Sequence, residues 1–218
     1  MPPPSDQLGL GLAVGLGLAL IAWYLVGNEL MRRRARRLAL WSKRVVDPLG
    51  GQQSVRWFSQ QAFRLEVERT RAPFQAASIT GLVESWDVPM VWLWNRLHGR
   101  RDMVLVQLQL RRQPLWGFEV YRPGSLLAGD AHHFARQEGW DEERHDEFMV
   151  AAAGPTPRKL AAELLAVLEA ERARLVRLAV RRQGTHLTLA LNVGDPTQVD
   201  AREVTRLLER LSAAAVPT

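Results

Sequence analysis

Hydrophobic positions follow three rhythms along this chain. The first is unbroken: residues 7 to 28 read QLGLGLAVGLGLALIAWYLVGN, twenty-two residues without a charged side chain. At ~1.5 Å rise per residue that makes about 33 Å of helix, enough to cross a hydrocarbon core of about 30 Å. MRRRARR follows at residues 31 to 37, and the spacing predicts that the helix continues to about Ser42. Asp47-Pro48-Leu49-Gly50-Gly51 then breaks it, and residues 45 to 54 read as a linker.

The second rhythm has a period of two and predicts strands. Phe63, Leu65 and Val67 alternate with Arg64, Glu66 and Glu68. Ile79, Gly81 and Val83 mark a second strand; Val104, Val106, Leu108 and Leu110 mark a third. Phe118 and Val120 continue the series until Pro123-Gly124, and His145 to Ala152 reads as another strand through Phe148 and Val150. Val176 to Val180 and Leu187 to Val193 flank Gln183-Gly184 as a hairpin. The third rhythm is helical. Thr156, with Pro157 behind it, is read as capping a helix that carries Leu160, Leu164, Leu165 and Leu168. Asp200 caps a last helix with Val204, Leu207, Leu208 and Leu211 on one stripe. The expected fold is α+β: one N-terminal transmembrane helix, then a mainly antiparallel sheet with helices packed on one face.

One connection is too long for a hairpin. Between the second and third of these strands lies SWDVPMVWLWNRLHGRR, where a plain turn needs two to five residues. Asp87 can cap a short helix from about Pro89, with Met90, Leu93, Trp94 and Leu97 on one face and Arg96, His98, Arg100 and Arg101 nearby. Three readings stand side by side. The tryptophans, Trp86, Trp92 and Trp94, cover the domain's own sheet, or with Met90 and Arg96 they meet a protein partner, or they lie in a membrane interface.

Charge sharpens the first segment. The chain carries 29 Lys and Arg against 23 Asp and Glu. Seven of the cations, Arg32, Arg33, Arg34, Arg36, Arg37, Lys43 and Arg44, lie just beyond the apolar run, and the residues before the run hold no Lys or Arg. Past residue 45 the balance is 22 to 21, so the high isoelectric point reports this collar and not a nucleic-acid-binding face. The order is the reverse of a secretory signal, whose positive charges precede the apolar region. The positive-inside rule therefore puts residues 1–6 outside as a short tail, residues 7–30 across an inner membrane, and residues 31–54 (basic helix and linker) with the 55–218 domain in the cytoplasm. Trp23 and Tyr24 mark the cytoplasmic boundary, and Arg32, Arg33, Arg34, Arg36 and Arg37 face anionic lipid headgroups.

The apolar run is also ridged with small residues. Gly11, Gly15 and Ala19 fall four apart, as do Gly9, Ala13 and Gly17. Such ladders let two membrane helices approach closely, so the expected partners are another copy of the chain or other membrane subunits. The competing reading is that glycine is simply common in membrane helices.

Candidate chemistry is sparse. Cysteine is absent, which excludes disulfides, thiolate catalysis and Cys-ligated metals. His132, His133, Glu138, Asp141, Glu142, Glu143, His145 and Asp146 form the one cluster worth testing as a metal site. Neighbouring histidines diverge on a regular element and no HExxH spacing occurs, so an acidic, solvated loop is the favoured reading. No P-loop, nucleophile elbow or dinucleotide fingerprint is present. No catalytic residue, cofactor or metal is expected.

Ile79-Thr80-Gly81, Gly99-Arg100-Arg101, Phe118 to Gly124 (FEVYRPG) and His145 to Val150 (HDEFMV), with the helix, hairpin and terminal helix that follow, carry a resemblance. The order of elements resembles a loose group of bacterial single-pass membrane proteins with an N-terminal anchor and a small cytoplasmic α+β domain. That group has no agreed activity and lends no site residues. Together these readings lead to a non-catalytic accessory or scaffold subunit of a membrane complex. The alternatives are a membrane-tethered enzyme using His132 to Asp146 and a self-associating regulatory module.

Overall fold

The computed structural model describes residues 5–97 and 101–216, with side chains from residue 9 onward. His98, Gly99 and Arg100 lie outside the described residues. The chain opens with α1 (Ser5–Val46), a single 42-residue helix. A 3₁₀ turn (Asp47–Leu49) then leads into the first four strands, β1 (Gln52–Trp57), β2 (Ala62–Glu68), β3 (Phe74–Leu82) and β4 (Met103–Leu110). The insertion between β3 and β4 holds α2 (Pro89–Leu97), where the apolar spacing placed a helix. Next come β5 (Phe118–Tyr121), α3 (Ala128–Gln137), β6 (Asp141–His145), β7 (Phe148–Ala152) and α4 (Pro155–Val167). β8 (Leu175–Val180), β9 (Leu187–Asn192) and α5 (Ala201–Ala215) follow.

Among the described residues, nine strands join one antiparallel sheet in the order β1-β2-β3-β4-β9-β8-β5-β7-β6. The α+β class and the antiparallel pairing are as the alternation predicted. One face of the sheet carries the main core. There the second half of α1, α4 and α5 press Leu38, Trp41, Val45, Leu164, Leu165, Leu208 and Leu211 onto Phe63, Ile79, Val106, Val120, Leu178 and Leu189. The opposite face carries α3, which packs on β5, β6 and β7 through Ala131 and Ala135. A small cluster of Met103, Val176 and Ala190 lies on this side, with Leu127 at the start of α3 packed against it.

Several boundaries differ from the sequence reading. The expected linker over residues 45–54 is mostly ordered structure: α1 runs on to Val46, and β1 begins at Gln52. The strand expected over His145 to Ala152 is the second arm of a hairpin, since Asp141–His145 pairs with Phe148–Ala152 about a turn in which Asp146 has φ +52°. Residues 132–146 are therefore not a loop but the end of α3 followed by β6. Gly154, not Thr156, occupies the cap of α4, with Pro155 in the first turn. Asp200 caps α5 as expected, its carboxylate accepting from the Arg202 N–H at 2.9 Å.

Strand directions place the connections. Trp57 pairs with Phe63, Leu82 pairs with Met103, and Met103 pairs with Asn192. The β1–β2 turn, the β3–β4 insertion and the end of β9 thus share one end of the sheet. α1 passes that end at Met31, whose sulfur meets Gln61, and the 3₁₀ turn that follows it reaches the other end at Leu49, whose carbonyl accepts from Arg71 N–H. The end bearing the insertion is therefore the one nearest the apolar half of α1.

Candidate functional site

α1 changes character along its length. It contains a stretch long and apolar enough to cross a membrane, and none of that window is buried. Leu10, Leu12, Leu16, Leu18 and Ile21 are all exposed. Past Gly27 the same helix becomes a strut of the domain core. Met31, Ala35, Leu38, Trp41, Ser42 and Val45 are buried, at intervals of three and four that put them on one face. The arginines fall between them. Arg32, Arg33, Arg36 and Arg37 are exposed, while Arg34 is half-buried. The collar is thus amphipathic. Trp41 fastens it, its indole N–H donating to the Val199 carbonyl at 2.8 Å, and the Thr205 hydroxyl donates to the Val45 carbonyl at 2.7 Å.

Where α1 leaves the domain, the insertion meets it. The Trp23 indole N–H donates to the Trp86 carbonyl at 2.9 Å. Trp92 stacks obliquely on both, with ring centroids 5.7 Å from Trp23 and 5.3 Å from Trp86. The Arg34 guanidinium lies over the Trp86 ring at 4.5 Å, a geometry that contributes about 0.5–1 kcal/mol at an exposed site. Gly27 makes the approach possible: a Cβ there would meet the Trp86 carbonyl oxygen at 2.2 Å. The Met31 sulfur accepts from the Trp86 N–H at 3.2 Å and from Gln61 Nε2 at 3.4 Å. Arg32 Nε donates to Gln60 Oε1 at 3.4 Å. Two connections, the β1–β2 turn and the insertion, are therefore held against α1 between Trp23 and Arg34.

Trp86 and Trp92 of the insertion turn towards α1, and on the other side of α2 Met90 and Leu97 are each 74% exposed and Trp94 60%. Leu93 and Val91 are also exposed. Asn95 is buried beneath, and Arg96 is exposed. At the neighbouring β1–β2 turn, Trp57 and Phe58 are exposed, with the Arg56 guanidinium 5.5 Å from the Phe58 ring centre. Tyr24 is exposed, as are the glycines of the small-residue ladder, save the half-exposed Gly17. A Cβ built on Gly9, Gly11, Gly15 or Gly17 meets nothing within 4 Å, and Ala13 and Ala19 are likewise exposed.

Behind α2 a cleft of about 300 Å³ gathers Arg34, Arg37 and Arg96 with Glu84, Asp102 and Asp195. Asp102 accepts from the Glu84 N–H at 2.8 Å. Burial pushes the carboxyl groups of both Asp102 and Glu84 above their ordinary range, against the pull of nearby arginines.

The histidine and carboxylate cluster lies elsewhere, on the α3 face. His132 Nδ1 is 2.7 Å from Glu142 Oε2, and the Tyr121 hydroxyl donates to Glu142 Oε1 at 2.5 Å. Burial and the Glu142 carboxylate push the Tyr121 phenol up, so it stays a donor. Beside it Glu119, fully buried, accepts from Arg177 at 2.8 and 2.9 Å and from Arg181 at 3.0 Å. Arg181 in turn covers the Phe134 ring at 3.5 Å. These groups satisfy one another, which fits a role in holding α3 to the sheet. His133 and His145 are exposed and not part of this contact. No group of three potential metal ligands occurs among the described residues. His186 is buried, its Nδ1 accepting from the Leu110 N–H at 2.9 Å. No protein-family model and no curated protein matches the chain.

The sequence reading singled out Trp86, Met90, Trp92, Trp94 and Arg96 together, and the structure divides them. Trp86 and Trp92 bind α1; Met90, Trp94 and Arg96 face outward. The residues it missed are Gly27, Met31 and Gln61, which join the insertion and the turn to α1. The 31-35-38-45 spacing inside MRRRARRLALWSKRVV was a legible sign that the collar has a buried face. Gly27 carried no signal, because its need for a missing Cβ arises from a loop 59 residues later.

Proposed function

We propose that this chain is a single-pass inner-membrane protein, N-terminus outside and domain in the cytoplasm, acting as an accessory or scaffold subunit of a larger membrane complex. The observation that carries this reading is the continuity of α1. One helix supplies both the bare apolar segment and a central strut of the core. A contact made along the apolar half is transmitted to the domain without a flexible joint. Open space around Gly11 and Gly15 leaves room for a second helix, and the arginine collar supports the orientation. The reading agrees with the resemblance to bacterial single-pass proteins and assigns no catalytic residue and no cofactor.

The test is extraction of the tagged full-length chain in a mild detergent. Co-migration with other membrane proteins, or with further copies of itself, is expected. A lone monomer at every detergent concentration refutes the scaffold role.

A second reading, a membrane-tethered enzyme, is favoured by one observation, the Tyr121–Glu142–His132 contact on the α3 face. Metal analysis of the purified chain, before and after His132→Gln, tests it: a stoichiometric metal lost in the variant would support the enzyme.

A further inference from the structure

We propose that α2 and the β1–β2 turn form a second membrane contact, an amphipathic foot that rests in the cytoplasmic leaflet beside the exit of α1. The proposal rests on the reading of α1 as a membrane-spanning helix and adds what the domain does at the surface.

Three observations lead to it. The first is depth. Trp92 of α2 packs on Trp23, and Trp23 lies five residues before Asn28, the last residue of the charge-free run. At ~1.5 Å per residue this is about 7.5 Å inside the apolar segment. Interfacial helices bury their apolar face about 5–10 Å into the boundary between headgroups and acyl chains. An element that touches α1 at Trp23 therefore lies in that layer whenever α1 spans.

The second is apolar exposure. Met90, Leu93, Trp94 and Leu97 expose apolar surface on α2, while Trp92 on its opposite side, with Trp86 just before the helix, packs on α1 beside the exposed apolar segment. Phe58 and Trp57 add exposed apolar surface at the tip of the adjoining turn, which is tied to α1 about two helical turns closer to the cytoplasm, at Met31 and Arg32. The third is charge. Arg32 beside the turn, Arg56 at Phe58 and Arg96 on α2 are exposed, a fringe that complements anionic headgroups and adds about 1 kcal/mol per cation near such a surface. Docking on α1 at Trp23, inside the apolar segment, and this fringe select a lipid surface as the occupant over a protein groove.

The foot has a mechanical consequence. A single helix leaves a domain free to rock against the bilayer. A second contact several residues to the side sets the tilt of α1 and presents the same edge of the sheet to the membrane.

The absence of cysteine allows a clean test. Single variants Leu97→Cys, Leu18→Cys and Leu115→Cys of the full chain are labelled with bimane and reconstituted into vesicles containing phosphatidylglycerol. Leu18 sits in the apolar half of α1, and Leu115 is exposed at the far end of the sheet. Brominated lipid should quench the labels at residues 97 and 18 several-fold more than the label at 115. If residue 97 responds like residue 115, to aqueous iodide only, the foot is refuted while quenching at residue 18 leaves the spanning reading standing. If residue 18 is not quenched by lipid, both fall. If residue 97 is shielded from both quenchers, a second copy of the chain covers α2 and the lipid assignment is overturned.

Discussion

Trp23 and Trp86 stand 63 residues apart in the chain and are joined by a hydrogen bond, the indole N–H of one donating to the carbonyl of the other at 2.9 Å. The bond ties the apolar half of α1 to an insertion between two strands. It depends on the missing side chain at residue 27, where a Cβ would meet the Trp86 carbonyl.

Gly27→Val tests that dependence. The added Cβ would sit 2.2 Å from the Trp86 carbonyl oxygen, so the segment around Trp86 must move away. The hydrogen bond and two aromatic contacts would be lost, each contributing about 0.5–1.5 kcal/mol. The sheet does not use these contacts. The expected outcome is an unchanged thermal midpoint for the domain, with faster proteolysis and amide exchange confined to the region around α2.

The two halves of α1 should respond differently to truncation. Leu38 is 1% exposed and packs in the main core, while Leu16 is 63% exposed. Leu38→Ala should cost about 2–5 kcal/mol of domain stability, read by denaturation of the full chain in detergent. Leu16→Ala should leave that stability unchanged. Equal effects would contradict the division of the helix at Gly27.

Asp102 makes stability fall as pH rises. Burial holds its carboxyl above the ordinary range in the folded chain. The folded state therefore keeps its proton to a higher pH than the unfolded chain, and ionisation beyond the ordinary value costs stability. Asp102→Asn keeps an acceptor for the Glu84 N–H and removes the buried charge. Thermal midpoints should show the variant gaining on the parent as pH rises above the ordinary aspartate value of about 4, with the difference vanishing in acid.

The glycine ladder gives a direct readout of association. Gly11 and Gly15 face open space, so Gly11→Leu with Gly15→Leu meets no clash within the chain and should not unfold it. In the proposed assembly the pair blocks close helix approach. The complex recovered from mild detergent should then dissociate, measured by size-exclusion chromatography with light scattering. Intact assembly would mean these glycines face lipid.

Glu119 is fully buried against Arg177 and Arg181. Glu119→Ala leaves two cations facing a void, and removing one partner of a buried pair costs about 3–5 kcal/mol. Denaturant titration should show this loss together with weaker protection of α3, since Arg181 also covers Phe134.

Strands were the most legible part of the fold. Val104, Val106, Leu108 and Leu110 alternate so strictly that their strand and its buried face follow from the period alone. Elements with weak apolar content were not legible. β1 is exposed along its whole length, and β6 reads DEERH with four of five residues exposed. Neither has a hydrophobic face to betray it; each exists because a neighbouring strand offers an unpaired edge. α3 was hidden in the same way, burying only the small Ala131 and Ala135 among its ten residues. Of the candidate site, the composition of the insertion was legible and its docking was not.

By itself the sequence determined the long apolar helix, the arginine collar that follows it, the antiparallel sheet and the helices with strong apolar stripes. Each is a local rhythm of side chains read against a fixed backbone period. The tertiary structure alone decided which of those side chains meet. It turned Met31, Ala35 and Leu38 inward between the arginines, set the Trp86 carbonyl against Gly27, and gave Met90, Trp94 and Leu97 their exposure on α2. Periodicity assigns a residue to a face, but only packing between distant segments decides whether that face is filled, and here that decision separates the core of the domain from the surface it offers to its surroundings.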